Sequence, residues 1–315
     1  MSSSPAQRLV IAEARRRKWG VREVGSGKEV AIITNTLGKS LLFKGGRPPH
    51  TSANGLAIAH RKRLSIEFIE HLGFRMLPYS TYTDHAKAME FLANHHTIVV
   101  KPDDAERGSG VTVEVASEAA LRAAIKKARA VSDEVILQKF CTGRHYRLLA
   151  VMGQIVAAAE RKPPCVVGDG RSTVLELVTK ENQNPLRKGD SAPLAEMDVA
   201  KVASYLGKHA NEIPASGESR TVLPFANLSS GGESLDVTDR VHRSYKDAAK
   251  RICESLGLFT CGIDIITDDI GAAYDKILPI IEINSKPGYR LHHFPTQGGP
   301  ARNVAAMVLD AAFNE

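Results

Sequence analysis

The sequence lacks a long hydrophobic run. No apolar stretch approaches the roughly 18 to 20 residues that a membrane-spanning helix needs, and the N-terminal stretch has no apolar centre of the kind a secretory signal carries. The expectation is a cytoplasmic address and no membrane partner. Cysteine is scarce: Cys141, Cys165, Cys253 and Cys261 are scattered through 315 residues without a Cys-x-x-Cys pair. That excludes a disulfide framework and a cysteine-built zinc site. Aromatic residues make up 5% of the chain and form no stacking pattern of the sort that binds single-stranded nucleic acid, so no nucleic-acid partner is expected. Internal repeats and low-complexity tracts are missing as well.

What is present is an ordinary globular composition, 43% hydrophobic and 24% charged, with 42 Lys+Arg against 35 Asp+Glu and a net charge of +7. Such a balance suits an anionic ligand. Basic residues cluster at 15–18 and 61–63, where solvated helix faces are the plain account. Residues from about Ala6 to Lys18 read as a helix, and Val30–Ile33 and Leu41–Phe43 as short strands. Leu64, Phe68, Ile69 and Leu72 recur at helical spacing up to Gly73. A helix over Asp84–Ala93, strands at Thr97–Val100 and Val111–Val115, and a helix capped by Ser117 follow. Two adjacent runs, Arg147–Val151 and Gln154–Ala158, meet at Gly153 as an antiparallel hairpin would. A helix from about Ser244 to Leu256 closes at Gly257 and leads to strands at Gly262–Ile266 and Ile280–Asn284. The polar, proline-bearing stretch of about 182–233 reads as one long loop. Helix and strand alternate throughout, which places the chain in a mixed α and β class.

Three groups of residues could carry chemistry. In Ile98-Val-Val-Lys-Pro102, Lys101 ends a strand, and Arg107-Gly-Ser-Gly-Val-Thr112 follows as a loop in which Gly108 and Gly110 let backbone N–H groups approach phosphate. Plain turn chemistry explains a glycine pair equally well, and Asp103, Asp104 and Glu106 would repel a polyphosphate unless they faced solvent or a cation. In the second group, Asp264 sits in one apolar strand, and Glu282 and Asn284 lie two apart on another, so that period-two geometry puts the latter pair on one face. Three such oxygen ligands suit a hard cation such as Mg²⁺. The competing account is a carboxylate satisfied by backbone donors or an arginine. In the third group, Arg161 precedes Pro163-Pro164 and Val167-Gly-Asp-Gly170; it could neutralise charge on a phosphoryl group or belong to a surface turn. The histidines, His292-His293 included, have no metal-ligand frame of their own.

Taken in order, Val99-Val-Lys-Pro102, Gly108-Ser-Gly-Val-Thr112, Tyr146-Arg-Leu-Leu149, Val167-Gly-Asp-Gly170, Asn227-Leu-Ser-Ser-Gly-Gly232, Asp236-Val-Thr-Asp239, Gly262-Ile-Asp264 and Glu282-Ile-Asn284 with Pro287-Gly-Tyr-Arg290 resemble the ATP-grasp superfamily. The resemblance runs from about Thr51 to the C-terminus and is strongest to the ATP-grasp domain of cyanophycin synthetases. It implies an α+β ATP-grasp fold in which two subdomains clamp ATP behind a short N-terminal α/β layer over residues 1–60. The ATP-grasp part would be 61–315, with a lid at about 97–137 and a metal-binding part at about 138–315. The implied activity is ADP-forming ligation of a carboxylate to an amine through an acyl phosphate, with ATP and Mg²⁺ as cofactors and Mn²⁺ as a substitute. Amino acids or peptides would be the small-molecule partners, and a homo-oligomer is admitted.

The resemblance also implies roles for individual residues. Lys62 and Lys101 match the phosphate-reaching lysines, and Gly108, Ser109 and Gly110 the flap over the phosphates. Asp264, Glu282 and Asn284 match the metal ligands; Arg161 and Arg290 match basic groups at the reacting centre. Gln138, Lys139, Phe140 and Cys141 fall at the adenine hinge and His145 at the ribose position. Two of these depart from the pattern, since the hinge usually opens with Glu and the ribose position is usually acidic. A catalytically degenerate ATP-grasp serving as a nucleotide-binding regulator or scaffold is the alternative those departures suggest. The resemblance does not extend to the other regions of cyanophycin synthetase, which implies a stand-alone ligase rather than a polymerising enzyme. Arg187 and Lys188, in the predicted loop, are expected to draw in the acceptor carboxylate.

Overall fold

The computed structural model describes residues 3–105, 108–188, 194–224, 226–298 and 300–314. The chain begins with α1 (Pro5–Arg16), whose N-cap Ser4 accepts from the Gln7 N–H, laid against a three-stranded antiparallel sheet of β1 (Gly20–Val24), β2 (Val30–Thr34) and β3 (Ser40–Lys44). The helices α2 (Ala53–His60) and α3 (Lys62–His71) follow.

A second, four-stranded sheet is built from β4 (Tyr79–Thr81), β5 (Ile98–Pro102), β6 (Thr112–Val115) and β7 (Val135–Lys139) in the order β4-β7-β5-β6, with α4 (His85–His95) and α5 (Glu118–Arg129) on one face. It starts earlier than the predicted lid boundary because Tyr79–Thr81 pairs with Gln138–Ile136. Alternation decides which side chains meet the helices: Ile98, Val100, Val135 and Leu137 join α4 and α5 in one core, so Lys101, Gln138 and Ile136 lie on the opposite face.

β8 (Arg144–Val151) and β9 (Gln154–Lys162) form the hairpin expected at Gly153, whose φ of +75° a glycine tolerates. The chain then leaves the sheet. β10 (Cys165–Val167), α6 (Val174–Glu181), α7 (Val199–Leu206) and β11 (Ser219–Thr221) make a small unit with its own core of Val166, Val174, Leu177, Met197, Val202 and Val222. This corrects the long loop predicted over 182–233, of which residues 189–193 and 225 lie outside the described residues. The apolar positions there are too widely spaced for a periodic signal, yet they close on α6 and on the β10–β11 pair.

The chain rejoins the sheet at β12 (Glu233–Asp236) and continues through α8 (Arg243–Leu256), β13 (Thr260–Thr267), β14 (Ile280–Asn284), α9 (Arg290–His293), β15 (Gln297–Gly298) and α10 (Val304–Phe313). The resulting six-stranded order is β14-β13-β8-β9-β12-β15. One face, carrying Tyr146, Leu148, Ile263, Ile265 and Ile283, is covered by α8 and α3. At one end of the other face, Leu149, Val151 and Ala157 pack against α1 and α10. The rest of that face carries polar residues. Two sheets, antiparallel but for the parallel pairing of β12 with β15, with helices to their sides make an α+β architecture.

Candidate functional site

The polar face follows from register. Asp264 on β13 stands between Glu282 on β14 and Arg147 on β8, and its chain neighbours Ile263 and Ile265 point into the core, so Asp264 points away from it. One row over, Gly262 pairs with Asn284, and His145 pairs with Arg161. Glu282, Asn284, Asp264, Arg147, His145 and Arg161 therefore share one face.

Asp264 is gripped by arginine. Arg147 donates from Nη2 to Asp264 Oδ2 at 2.7 Å and from Nε to Oδ1, and Arg161 Nη2 lies 3.1 Å from Oδ1. Burial alone would raise the Asp264 carboxyl, but the charges of Arg147 and Arg161 override it and hold the group below the usual carboxylate range. Asn284 donates through Nδ2 to Asp264 Oδ2 at 3.3 Å, which turns its carbonyl oxygen away from Asp264. Glu282 behaves oppositely: burial and the Asp264 charge push its carboxyl up. Asp264, Glu282 and Asn284 are thus brought together as two carboxylates and an amide. Among the described residues no three His, Cys, Asp or Glu side chains converge. The hard oxygen donors fit a divalent cation, and the raised Glu282 carboxyl is what a cation would relieve. The account of Asp264 as an arginine-satisfied carboxylate also holds in part, because both its oxygens are engaged.

The two lysines reach this face from the other side. Lys62 opens α3; its Nζ donates to the carbonyls of Ala105 at 2.6 Å and Asp103 at 3.3 Å and stands 3.9 Å from Glu282 Oε1. Asp103, fully buried, fixes that helix end by accepting from the Arg63 N–H at 2.6 Å and from Arg61 Nε. Lys101 is 4% exposed and donates to Gln138 Oε1 at 2.7 Å and to the Ile281 carbonyl on β14 at 3.3 Å, so it spans the two sheets. Burial pulls its ammonium down to about 8. Gln138 is 2% exposed, and its Nε2 is buried without a partner. Beyond it, the N–H groups of Lys139 and Phe140 are bonded to the Pro78 and Thr97 carbonyls, and Cys141 is half-buried. Gly108 and Ser109 are exposed, whereas Gly110 is buried with φ +71°, where a Cβ would come within 2.7 Å of Pro102 Cγ. Glu106 and Arg107 lie outside the described residues.

Arg161 is half-buried, and its Nε is buried and unpartnered. Desolvation and the Arg161 charge pull His145 below its ordinary value. Arg290 opens α9, half-buried, next to Leu291 and His292. Two residues were given no role by the sequence. Arg147 stood within the Tyr146-Arg-Leu-Leu149 motif without an assigned part. His292 is 1% exposed with both ring nitrogens unpartnered; burial and the charge of Arg147 take it down to about 3. Asp169, in the third motif, caps the turn before α6 by accepting from the Arg171 and Ser172 N–H groups, and at Gly168 a Cβ would meet the Ala215 carbonyl at 2.2 Å. That motif serves the local fold. Arg187 is buried against Glu181 and the carbonyls of Ala195 and Gly231, which corrects its expected part in acceptor capture, whereas Lys188 is exposed and pairs with Glu196.

The two-sheet α+β arrangement, with Lys101 reaching from one sheet and Lys62 from α3 to the carboxylate-bearing side of the other, is the ATP-grasp fold. Within that class it is close in sequence to cyanophycin synthetase. It is 38% identical over 236 residues to the cyanophycin synthetase of Nostoc sp. (strain PCC 7120), which covers 73% of this chain and 26% of the relative. The cyanophycin synthetase of Synechocystis sp. (strain PCC 6803) is 31% identical over 328 residues, covering 98% of this chain and 36% of the relative. The chain thus spans about a quarter to a third of the length of these relatives. Among solved structures, a bifunctional glutathione synthetase from Pasteurella multocida superposes with a TM-score of 0.73 at 24% identity, over 99% of this chain and 43% of that one. No protein-family model matches the chain.

Proposed function

We propose that the protein is an ATP-dependent, ADP-forming carboxylate–amine ligase that joins an amino acid or amine to an amino-acid, peptide or protein carboxylate. The observation that carries this reading is the meeting of Lys62, from α3, with Glu282 at 3.9 Å, beside Asp264 and Asn284 on the same face. Phosphoryl transfer asks the protein mainly for positioning and charge neutralisation, and this face offers both. Lys62 and Lys101 would hold phosphate oxygens, Gln138 to Cys141 and His145 the nucleoside, and Gly108 to Gly110 would cover the phosphates. Asp264, Glu282 and Asn284 would hold Mg²⁺, with Mn²⁺ able to replace it; when bound, the cation neutralises phosphate charge. Arg161 and Arg290 would orient the substrate carboxylate, and Arg147 keeps Asp264 ionised. In the proposed reaction a carboxylate oxygen bonds to the γ-phosphorus as the bond to ADP breaks. An amine nitrogen then bonds to the acyl carbon, phosphate leaves and the nitrogen loses a proton.

The names of the relatives support this reading: cyanophycin synthetase and glutathione synthetase are the matches. The test is ADP release from Mg-ATP over pools of amino acids and short peptides, with Glu282→Gln as the blank. Release that requires both a carboxylate and an amine is expected. ADP release that no carboxylate stimulates, or that persists in the variant, would count against the ligase.

A further inference from the structure

Gln138 is the residue from which most follows, because its amide can face only one way. Lys101 has three N–H donors and no acceptor, so the group 2.7 Å from its Nζ must be the amide oxygen. Nε2 then points the other way, with two hydrogens to give. It is buried and unpartnered, and such a donor is costly until something accepts from it. The neighbouring N–H groups cannot substitute for it, since those of Lys139 and Phe140 are already bonded to Pro78 and Thr97. The ligand group that belongs at this point is therefore an acceptor.

The inference rests on the nucleotide reading above, in which the segment from Gln138 to Cys141 faces the base and the triphosphate lies with the lysines. Purines differ in what they show along the edge that carries N7 and position 6. Guanine presents two acceptors, N7 and O6, whereas adenine presents N7 and an amino donor. A glutamate at residue 138 could give one oxygen to Lys101 and keep the other to accept from that amino group. The glutamine keeps a donor there.

We propose that Gln138 sets the base selectivity of this protein, so that 6-oxo purine nucleoside triphosphates are accepted as readily as ATP. Nε2 can give a hydrogen to N7, an acceptor that adenine and 6-oxo purines share, so the amide tolerates either group at position 6, whereas a carboxylate would meet O6 as a like group and discriminate against it. The selectivity thus lies in a single side chain and its partner Lys101.

The experiment is calorimetric titration of the full chain with ATP, GTP and ITP in the presence of Mg²⁺, for the wild type and for Gln138→Glu. For the wild type, GTP and ITP should bind within about threefold of ATP, and Gln138→Glu should shift the ratio about tenfold toward ATP, which is about 1.4 kcal/mol. A wild type that binds ATP more than about thirtyfold tighter than both 6-oxo nucleotides would overturn the proposal, and that comparison needs no variant. An unchanged ratio in a folded Gln138→Glu would overturn it too. If a folded wild type bound none of the three, the nucleotide reading itself would fall and this inference with it, an outcome distinct from binding all three without ligase turnover.

Discussion

Two carboxylates in this molecule are each gripped by two arginines, and they differ in what is left over. Glu13 on α1 accepts from Arg16 at 2.7 and 2.8 Å, from Arg17 at 2.8 Å and from Asn303 at 3.2 Å, which takes its carboxyl down to about 2. Neither it nor any of these three partners has a buried side-chain polar atom left unpaired, and the cluster fastens α1 to the chain just ahead of α10. Asp264 is held as firmly by Arg147 and Arg161, yet its surroundings are unfinished. Arg161 Nε and both nitrogens of His292 are buried without partners, and the Glu282 carboxyl is raised. A buried ion pair that only supports the fold can satisfy itself. One that awaits a ligand cannot, and the orphaned atoms mark the difference.

The sharpest way to break the comparison is to neutralise one carboxylate in each cluster. Glu282→Gln should lower ADP release by about 10²- to 10³-fold and leave stability to denaturant nearly unchanged, since a carboxyl already pushed up contributes little as an anion. Glu13→Gln should do the reverse, costing about 2 kcal/mol in chemical denaturation with nucleotide affinity unaltered. The Glu13 contribution is fully present above pH 4.5 and is lost as pH falls from 4.5 toward 2, because its folded value is depressed. An acid titration of the wild type against Glu13→Gln checks that sign.

Lys101 offers a test by pH. Its ammonium has been lowered to about 8, so a phosphate ligand that needs the charge should bind about fivefold more weakly at pH 9 than at pH 8. Stability without ligand moves the other way: the unfolded chain holds that proton more tightly, and the cost of burying the charge is relieved between pH 8 and pH 10.5. A flat affinity profile over that range would remove Lys101 from the phosphates. The smallest effect is expected at His292. Replacing it with Leu should raise stability by about 1 kcal/mol, because two unpartnered nitrogens leave the core, while turnover falls. A loss of stability instead would place His292 with the closed clusters.

Much of the fold was legible because local signals agree with the final packing. Ser117 accepts from the Ala120 N–H at the head of α5, Gly257 ends α8 at φ +61°, and the Ile280–Asn284 strand falls as read. β1 escaped because Gly20-Val-Arg-Glu-Val24 has little apolar character and is fixed by pairing with β2. α6 and α7 escaped because their apolar faces are short and find their core only in each other and in β10 and β11. Within the site, period two placed Glu282 and Asn284 on one face, but nothing local shows that register sets Arg147 opposite Asp264, or that Lys62 reaches Glu282 across more than two hundred residues. The basic clusters read as solvated faces are largely paired: Arg15 with Glu23, Arg61 with Asp103 and Glu134, Arg63 with Glu67.

The β10–β11 unit departs from and returns to the six-stranded sheet at one point. Lys162, the last residue of β9, is the register partner of Glu233, the first of β12, and a Cβ on Gly232 would lie 2.8 Å from the Lys162 carbonyl. The excursion is also closed on itself near its base, where the Val222 N–H donates to the Pro164 carbonyl at 2.9 Å. For an engineer this is a cassette with matched ends. The segment between those two residues can be exchanged for a short hairpin turn or for another small unit while the β9–β12 ladder keeps its pairing, so that whatever sits beside the reactive face can vary without the face being rebuilt.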